Sequence, residues 1–589
     1  MFLRCHTRQK DGKLHRYWSI VETRRCGTRG AIQRPVLYLG EINDSQQAAW
    51  RKTIEVFEDG ATRPRPIALF PADQPAPVAD DTVVQIRLAA LSVQRPRQWG
   101  ACWLAWHLWT ELGLDTFWAT HLPASRKGTR WDWILAALSI YRLLDPGSEW
   151  RLHRDWYQQS ALPDLLGADQ ELVEIHKLYR CLDRVLPHKR ALFAHLTERW
   201  RDLFNCAYDI LLYDLTSTYF ESDPPDDPTD KRRFGYSRDK RNDCVQLIIA
   251  LIITPEGFPL AYEVLAGNTT DNRTLRLFLR QIERRYGKAE RIWLMDRGIP
   301  TEATLAQMRA STPPVRYLVG TPKGRLTQVE AALLARPWQQ VREGISVKLL
   351  PQAEDLYVLA RSESRAAKER AIRRKQLKRL WRRLHQLQAM PLTRDQLLHK
   401  LGAAHQRWPG AWRLVRVTPQ TEGRLTFALD RMMLRRVRRR EGRYLLRTNL
   451  TDRDPAQLWT LYMQLVHVED AFKILKGDLA VRPIHHQLEP RIEAHIFVAF
   501  LAYALHATLR RRLRDLAPGL TSRAVFDKLQ AIQMVDVHLP TTDGREVILS
   551  RYTQPEPEAA LLLRQLRLTL PAQPLPRLSI PTPAGHGQM

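Results

Sequence analysis

The sequence predicts an α/β protein built on a mixed sheet, and three observations carry that prediction. Apolar runs of strand length fall at 209–215, 244–254, 258–266, 291–295 and 315–320. The second and third are joined by Pro255-Glu256-Gly257, a tight turn, so they pair as a hairpin. The later runs alternate with helical stretches at 272–286 and 301–310, the spacing that a partly parallel sheet requires.

Along the chain, 15–22 (HRYWSIVE) and 35–41 (PVLYLGE) read as strands and 44–58 as a helix, together a small unit over 1–60. Pro64, Pro66, Pro71, Pro75 and Pro77 make 61–82 a stiff linker. Residues 83–206 are expected to be helical, since Trp99, Trp103, Trp106 and Trp109 recur at helical steps. Twelve of the 18 tryptophans lie in the first 200 residues, which suits a Trp-rich core or rings that stack on bases. The α/β core begins at 207–322. Residues 323–442 hold no clear continuation of the sheet and read as an insertion, with a basic helix at 363–388 and a basic run at 431–440. Strand chemistry returns at 442–449, and helices follow at 454–476 and 490–513, so 443–513 is the second part of the core. A C-terminal region, 514–570, precedes a Pro-rich tail, 571–589, expected to be disordered.

Composition narrows the function. Hydrophobic residues at 44% and charged residues at 26% are globular values. Ninety-one Lys and Arg against 63 Asp and Glu leave a charge of +28, and 73 of the cations are Arg. A genome rich in G and C explains the Arg:Lys ratio but not the excess, which points to nucleic acid. The segment 361–385 alone carries eleven cations and two Glu, with Leu377, Leu380, Trp381 and Leu384 as a narrow apolar stripe. The longest strongly apolar stretch, 496–505, is half a membrane span, and the basic N-terminus lacks the apolar segment of a signal peptide. Six scattered cysteines without a CxxC pair argue against a disulfide framework or zinc ribbon. A cytoplasmic chain with no membrane partner is expected.

Three acids stand out. Asp214 (YDLTSTYFE) and Asp296 (WLMDRGIP) each follow an apolar strand, where α/β folds place their sites. If those strands are neighbours, the carboxylates lie side by side, and their repulsion favours a divalent cation between them. Glu469 lies in LYMQLVHVEDAFKILK, with Tyr462 and Lys476 seven residues to either side. Seven residues are nearly two helical turns, so one helix would present all three on one face. The bland alternatives are a strand-end cap, a turn acid, and a surface Glu paired with Lys473 one turn on. Glu221, Asp239, Asp243 and Asp271 are candidates to support the acids. His485, His486 and His495 have no nearby carboxylate or Cys in the sequence and read as structural.

The spacing Tyr462-x2-Leu465-x3-Glu469-x6-Lys476 resembles the YREK signature of bacterial DDE transposases of the insertion-sequence-four superfamily, and Asp214 and Asp296 resemble its first two acids. GYSRDKRNDCVQL (235–247), GNTTDNRTL (267–275), RYLVGTPK (316–323) and RPIHHQLEPRIEAHIFVAFLA (482–502) are similar to the sixteen-thirty-four subgroup. Leu465 departs from the pattern, which has Arg there. The resemblance implies an RNase H-like core interrupted by an insertion domain, and two Mg²⁺ ions (or Mn²⁺) held by Asp214, Asp296 and Glu469. It implies DNA end contacts from Tyr462, Lys473 and Lys476, with Arg482 in place of the missing Arg. It implies cleavage at terminal inverted repeats and strand transfer into target DNA by a homodimer in a synaptic complex, acting at the bacterial nucleoid. In related transposases an insertion-domain Trp stacks where a base is flipped out, and Trp338, Trp408 and Trp412 are the candidates here. A non-catalytic DNA-binding protein derived from a transposase, and a nuclease of the same fold without strand transfer, are the competing readings.

Overall fold

The computed structural model describes the chain except residues 1, 11–12, 26–30, 41–54, 57–64, 67–75, 78–83, 207, 236, 238–240, 270–290, 297–299, 322–328, 330, 334, 353, 421–423 and 580–589. The N-terminus is an antiparallel sheet of β1 (Phe2–Lys10), β2 (Lys13–Arg25) and β3 (Ala31–Gly40). The expected strands are therefore longer, and the first was not foreseen. The expected helix at 44–58 lies outside the described residues except Glu55–Val56, which pairs with Arg65–Pro66 as a two-stranded ladder within the expected linker.

The region expected to be helical opens with a strand, β4 (Ser92–Gln98). Its principal helices are α1 (Gly100–Glu111), α2 (Trp131–Leu144), α3 (Ile175–Val185) and α4 (Lys189–Phe204). Trp99, Trp103, Trp109, Trp118, Trp131, Trp156 and Trp200 are all buried, so this tryptophan set is core rather than a stacking surface.

The main sheet comes next. Its strands are β5 (Ile210–Tyr219), β6 (Gln246–Ile253), β7 (Pro259–Ala266), β8 (Ile292–Met295) and, after helix α5 (Glu302–Ala310), β9 (Arg316–Gly320). β5, β6 and β7 are antiparallel in sequence order, and β8 and β9 are added in parallel on the other side of β5. This is the RNase H-like arrangement. The helix expected at 272–286 lies outside the described residues.

The sheet does not stop there, which corrects the reading of 323–442. β10 (Gln339–Arg342), β11 (Ile345–Gln352) and β12 (Asp355–Ser362) extend it through β15 (Arg443–Thr448), which lies between β9 and β12. The nine strands run β7-β6-β5-β8-β9-β15-β12-β11-β10. Alternating residues such as Val347, Val358 and Ala360 bury in the same core as Leu212 of β5, Leu247 of β6 and Leu294 of β8. What leaves the sheet is α6 (Glu363–Ala389), α7 (Arg394–Arg407), the hairpin β13 (Val415–Pro419) and β14 (Leu425–Leu429), and α8 (Arg431–Arg440). Leu380 and Leu384 of α6 pack on Leu397 and Leu401 of α7 and on Val415 and Leu425, with Leu377, Trp381, Trp408 and Trp412 at the margin. The apolar stripe is thus covered within the chain.

The stretch 454–476 is two helices, α9 (Pro455–Met463) and α10 (Val466–Lys476), rather than one. α11 (Glu489–Leu516) follows. It is the one described helix long and apolar enough to cross a membrane, but 94% of its apolar window is buried. It packs against α1, α2, α3, α10 and β7, so its hydropathy belongs to the protein's own core. The C-terminal strands β16 (Gln533–Pro540), β17 (Glu546–Tyr552) and β18 (Arg577–Ser579) form a second sheet with β4 and Ala76–Pro77. β18 lies inside the tail expected to be disordered, and its pairing with β17 orders it.

Candidate active site

β5 runs four residues beyond the expected Leu215, because Thr216, Ser217, Thr218 and Tyr219 pair with β6 in full register. Asp214 therefore sits in mid-strand, buried, with a carboxylate oxygen accepting the backbone N–H of Leu215 at 2.7 Å. The parallel ladder ends at Met295↔Tyr213. The next residues in that register are Asp296 and Asp214, so the strands are neighbours, as the carboxylate pairing required.

Alternation fixes the face. Leu211, Tyr213 and Leu215 bury on one side of the sheet with Trp293 and Met295. Leu212 and Leu294 bury on the other, and Asp214 and Asp296 share their parity. Val468, Ala471, Phe472 and Leu475 of α10 bury in the core on that same side, and α10 packs directly on β5 and β6. The helix of Glu469 thus covers the sheet face of the two Asp residues. Glu469 and Lys473 lie on its exposed flank and Lys476 is half-buried one turn further.

Tyr462 departs from the expected row. Between Met463 and Val466 the bonds are of the i→i−3 type, Gln464 N–H to Leu461, Leu465 to Tyr462 and Val468 to Leu465. Such bonds advance the chain roughly 20° more per residue than an α-helix does. Tyr462 therefore belongs to a separate helix from Glu469, and its half-buried ring meets Tyr444 (5.4 Å) and Trp459 (5.8 Å). Leu465 is buried in the main core. The slot that the signature fills with Arg is a packing position here. Arg482 lies over the ring of Tyr219 at 5.6 Å, five residues along β5 from Asp214, rather than one turn from Glu469.

Arg241 pairs with both Glu221 and Asp243; Asp239 and Asp271 lie outside the described residues. Gly235 and Gly267, one from each quoted glycine motif, bring two backbones together. A Cβ on Gly267 would lie 2.0 Å from the carbonyl oxygen of Gln246, and one on Gly235 would lie 2.1 Å from that of Gly267. Two ladder bonds between Arg233 and Gln246 hold this crossing.

The histidine reading needs correction. His486 has a carboxylate partner 337 residues away, Glu149, at 3.3 Å, and His495 lies 3.9 Å from the same oxygen. No sequence spacing signals a contact of that length. His485 is exposed.

Two aspartates on one sheet face, Asp214 buried and Asp296 half-buried, are oxygen donors that suit a hard divalent cation, and Glu469 lies on the helix that packs over that face. Among curated proteins no match is found. Among solved structures, the piggyBac transposase synaptic complex with hairpin DNA is 10% identical, with a TM-score of 0.36 over 76% of this chain and 82% of that one. The Mos1 transposase paired-end complex with left transposon end is 16% identical, with a TM-score of 0.11 over 23% and 46% of the respective chains. Both likenesses are remote, and the assignment rests on the sequence-family match, which spans residues 206–505 and so just over half of the chain. The chain belongs to the transposase DDE domain family.

Proposed function

We propose that the chain is a DNA transposase of the insertion-sequence-four type, with Asp214, Asp296 and Glu469 as its acid triad. The observation that carries this reading is the register that makes Asp214 and Asp296 neighbours beneath the helix of Glu469. Bound between these acids, two Mg²⁺ ions (or Mn²⁺) would supply a more acidic attacking water or hydroxyl and neutralise charge on the leaving oxygen.

The chain's residues do the rest. Asp214, fixed in mid-strand, would hold the ions together with Asp296 and Glu469. Lys473 and Lys476, following Glu469 on its helix, hold phosphates beside the scissile bond, and misplacement by about 1 Å costs on the order of 10²-fold in rate. Tyr462 and Arg482 contact the DNA end further out. In cleavage, water adds to phosphorus in line with the 3′-oxygen, which leaves as a 3′-hydroxyl, and the flanking strand keeps a 5′-phosphate. In strand transfer that hydroxyl attacks a target phosphodiester and displaces its 3′-oxygen. The terminal inverted repeats and a target duplex are the substrates, a homodimer in a synaptic complex is the acting form, and the bacterial nucleoid is its place of action.

Non-specific affinity comes from the insertion. α6 exposes Arg374, Lys375, Lys378, Arg379 and Arg382. Beside it, α8 adds Arg436 and Arg440 to a cavity of about 520 Å³ that Arg373 and Arg413 also line. End-labelled inverted-repeat DNA tests the assignment: cutting and joining in Mg²⁺ support it. Cutting alone makes the protein a nuclease, and binding alone a non-catalytic DNA-binding protein.

A further inference from the structure

Away from the acid triad, three side chains from distant parts of the chain converge. Glu149 comes from the short helical turn Glu149–Arg151 of the helical region, started by the Ser148 side chain accepting the N–H of Arg151. His486 comes from the segment between α10 and α11, and His495 from the second turn of α11. Their donor atoms lie within 4.8 Å of one another. The side chains are 11%, 9% and 7% exposed.

The hydrogen-bond inventory does not close. His495 Nε2 faces the carbonyl oxygen of Val481 at 3.3 Å, so this nitrogen carries the ring hydrogen. Nδ1 of the neutral ring is then a bare lone pair. It is buried without a hydrogen-bond partner and faces the Glu149 Oε1 lone pairs across 3.9 Å. Two acceptors turned toward each other in a closed space call for a cation between them. We propose that Glu149, His486 and His495 form a zinc site that fastens the helical region to the catalytic core.

The geometry suits that ion. Ligands about 2.0–2.1 Å from a tetrahedral Zn²⁺ stand about 3.3 Å apart. Glu149 Oε1 and His486 Nε2 are already 3.3 Å apart, His495 Nδ1 stands 3.9 Å from the same oxygen, and all three donors lie within 4.8 Å of one another. Two imidazoles and one carboxylate match zinc better than Mg²⁺, which favours oxygen. The Val481 carbonyl on the far nitrogen of His495 is the outer contact that orients a metal-binding histidine. Arg142, buried beside the cluster, donates from Nη1 to the Ala480 carbonyl at 3.2 Å. Water completes the tetrahedron.

The site joins three segments. Glu149 belongs to the helical region, His486 to the segment that follows Lys476, and His495 to the central helix. Zinc there sets the approach of α10, and so of Glu469, without entering the chemistry at the acids.

The test uses the full-length chain, free of any histidine tag, in the Asp214→Asn background so that the acid site does not contribute metal. Elemental analysis after exhaustive buffer exchange is expected to find about one Zn²⁺ per chain. Co²⁺ in its place is expected to give the intense visible bands of a four-coordinate ion. His495→Ala and His486→Asn are expected to lose at least nine-tenths of the metal, and His485→Ala to keep it. Zinc at background level in the Asp214→Asn protein, or an unchanged content in a folded His495→Ala protein, overturns the proposal. If His495→Ala does not fold, the zinc stoichiometry and the Co²⁺ spectrum of the Asp214→Asn protein decide alone.

Discussion

Replacing Asp214 by Asn separates a catalytic acid from a structural one, because the two roles predict opposite changes in stability. Asn keeps the oxygen that accepts the Leu215 N–H and nearly the same volume. What it removes is one charge from a pair. Adjacent strands lie about 4.8 Å apart, so carboxylates at paired register positions are about 5 Å apart. Two unit charges at that distance and an effective dielectric of 20 repel by roughly 3 kcal/mol. Asp296 is half-buried, so water and salt reduce this to about 1–2 kcal/mol. The metal-free Asp214→Asn protein is therefore expected to melt a few degrees above wild type. Mg²⁺ should raise the melting temperature of wild type and leave the variant unmoved, since only a competent site couples binding to folding. Cleavage of end-labelled inverted-repeat DNA should fall at least a thousandfold, a loss of about 4 kcal/mol at the transition state. A variant that melts below wild type and still responds to Mg²⁺ would refute the reasoning and make Asp214 a structural residue.

Four further outcomes follow from particular contacts. Leu465→Arg places a cation in the packed core, so it should destabilise by about 3 kcal/mol or more and fail to raise end binding, measured by chemical denaturation and a filter assay. Gly267→Ala forces a Cβ to 2.0 Å from a backbone oxygen and should cost about 1–3 kcal/mol, read as a lower denaturation midpoint, while Gly402→Ala, whose Cβ meets nothing within 4 Å, should not. Neutralising Arg374, Lys378, Arg379 and Arg382 together should flatten the slope of log K against log salt by up to about 3.6, at 0.9 per phosphate contact; Arg373 is left out because Glu441 holds it at 2.5 Å. The C-terminal sheet should loosen in acid: burial raises the Asp536 pKa, but hydrogen bonds and charge from Arg97, with Arg95 and Ser550, hold it below the ordinary value. A lowered folded-state pKa means that stability is present above the usual Asp range, about 4, and is lost as pH falls through the lower folded value. Proteolysis of 533–552 against pH should show protection at neutral pH that disappears below that range.

The sheet was legible where local pattern and tertiary pairing agree. The hairpin of β6 and β7 carries its own turn, and the apolar runs before Asp214 and Asp296 have no other use than buried strands. β10 to β12 were missed because an edge stretch such as QQVR has no alternating pattern, and because β12, which joins the three to the sheet, pairs with β15, roughly eighty residues downstream. The break before α10 was missed for a similar reason: Gln464 and Leu465 are both good helix formers, and packing of Leu465 in the core overrides their propensity. Of the candidate site, the placing of Asp214 and Asp296 on buried strands was legible in the apolar runs before them, whereas the contact of Glu149 with His486 was not, because only the fold carries one to the other. The tail shows how composition misleads: Pro-rich residues still pair when a finished strand such as β17 offers an edge.

One feature of the fold bears on how the protein is made. β4 and β16 pair side by side, yet Gln98 and its partner Gln533 are 435 residues apart in the chain. At 5–20 residues per second a ribosome takes roughly 20–90 s to supply the second strand after the first. Throughout that interval the edge of β4 is open and α1 lacks the cover of α11. A message cut short between α10 and β16 thus yields a chain that carries all three acids yet exposes a bare strand edge, a target for chaperones and proteases. Quality control of the finished protein is written into the order of its own synthesis.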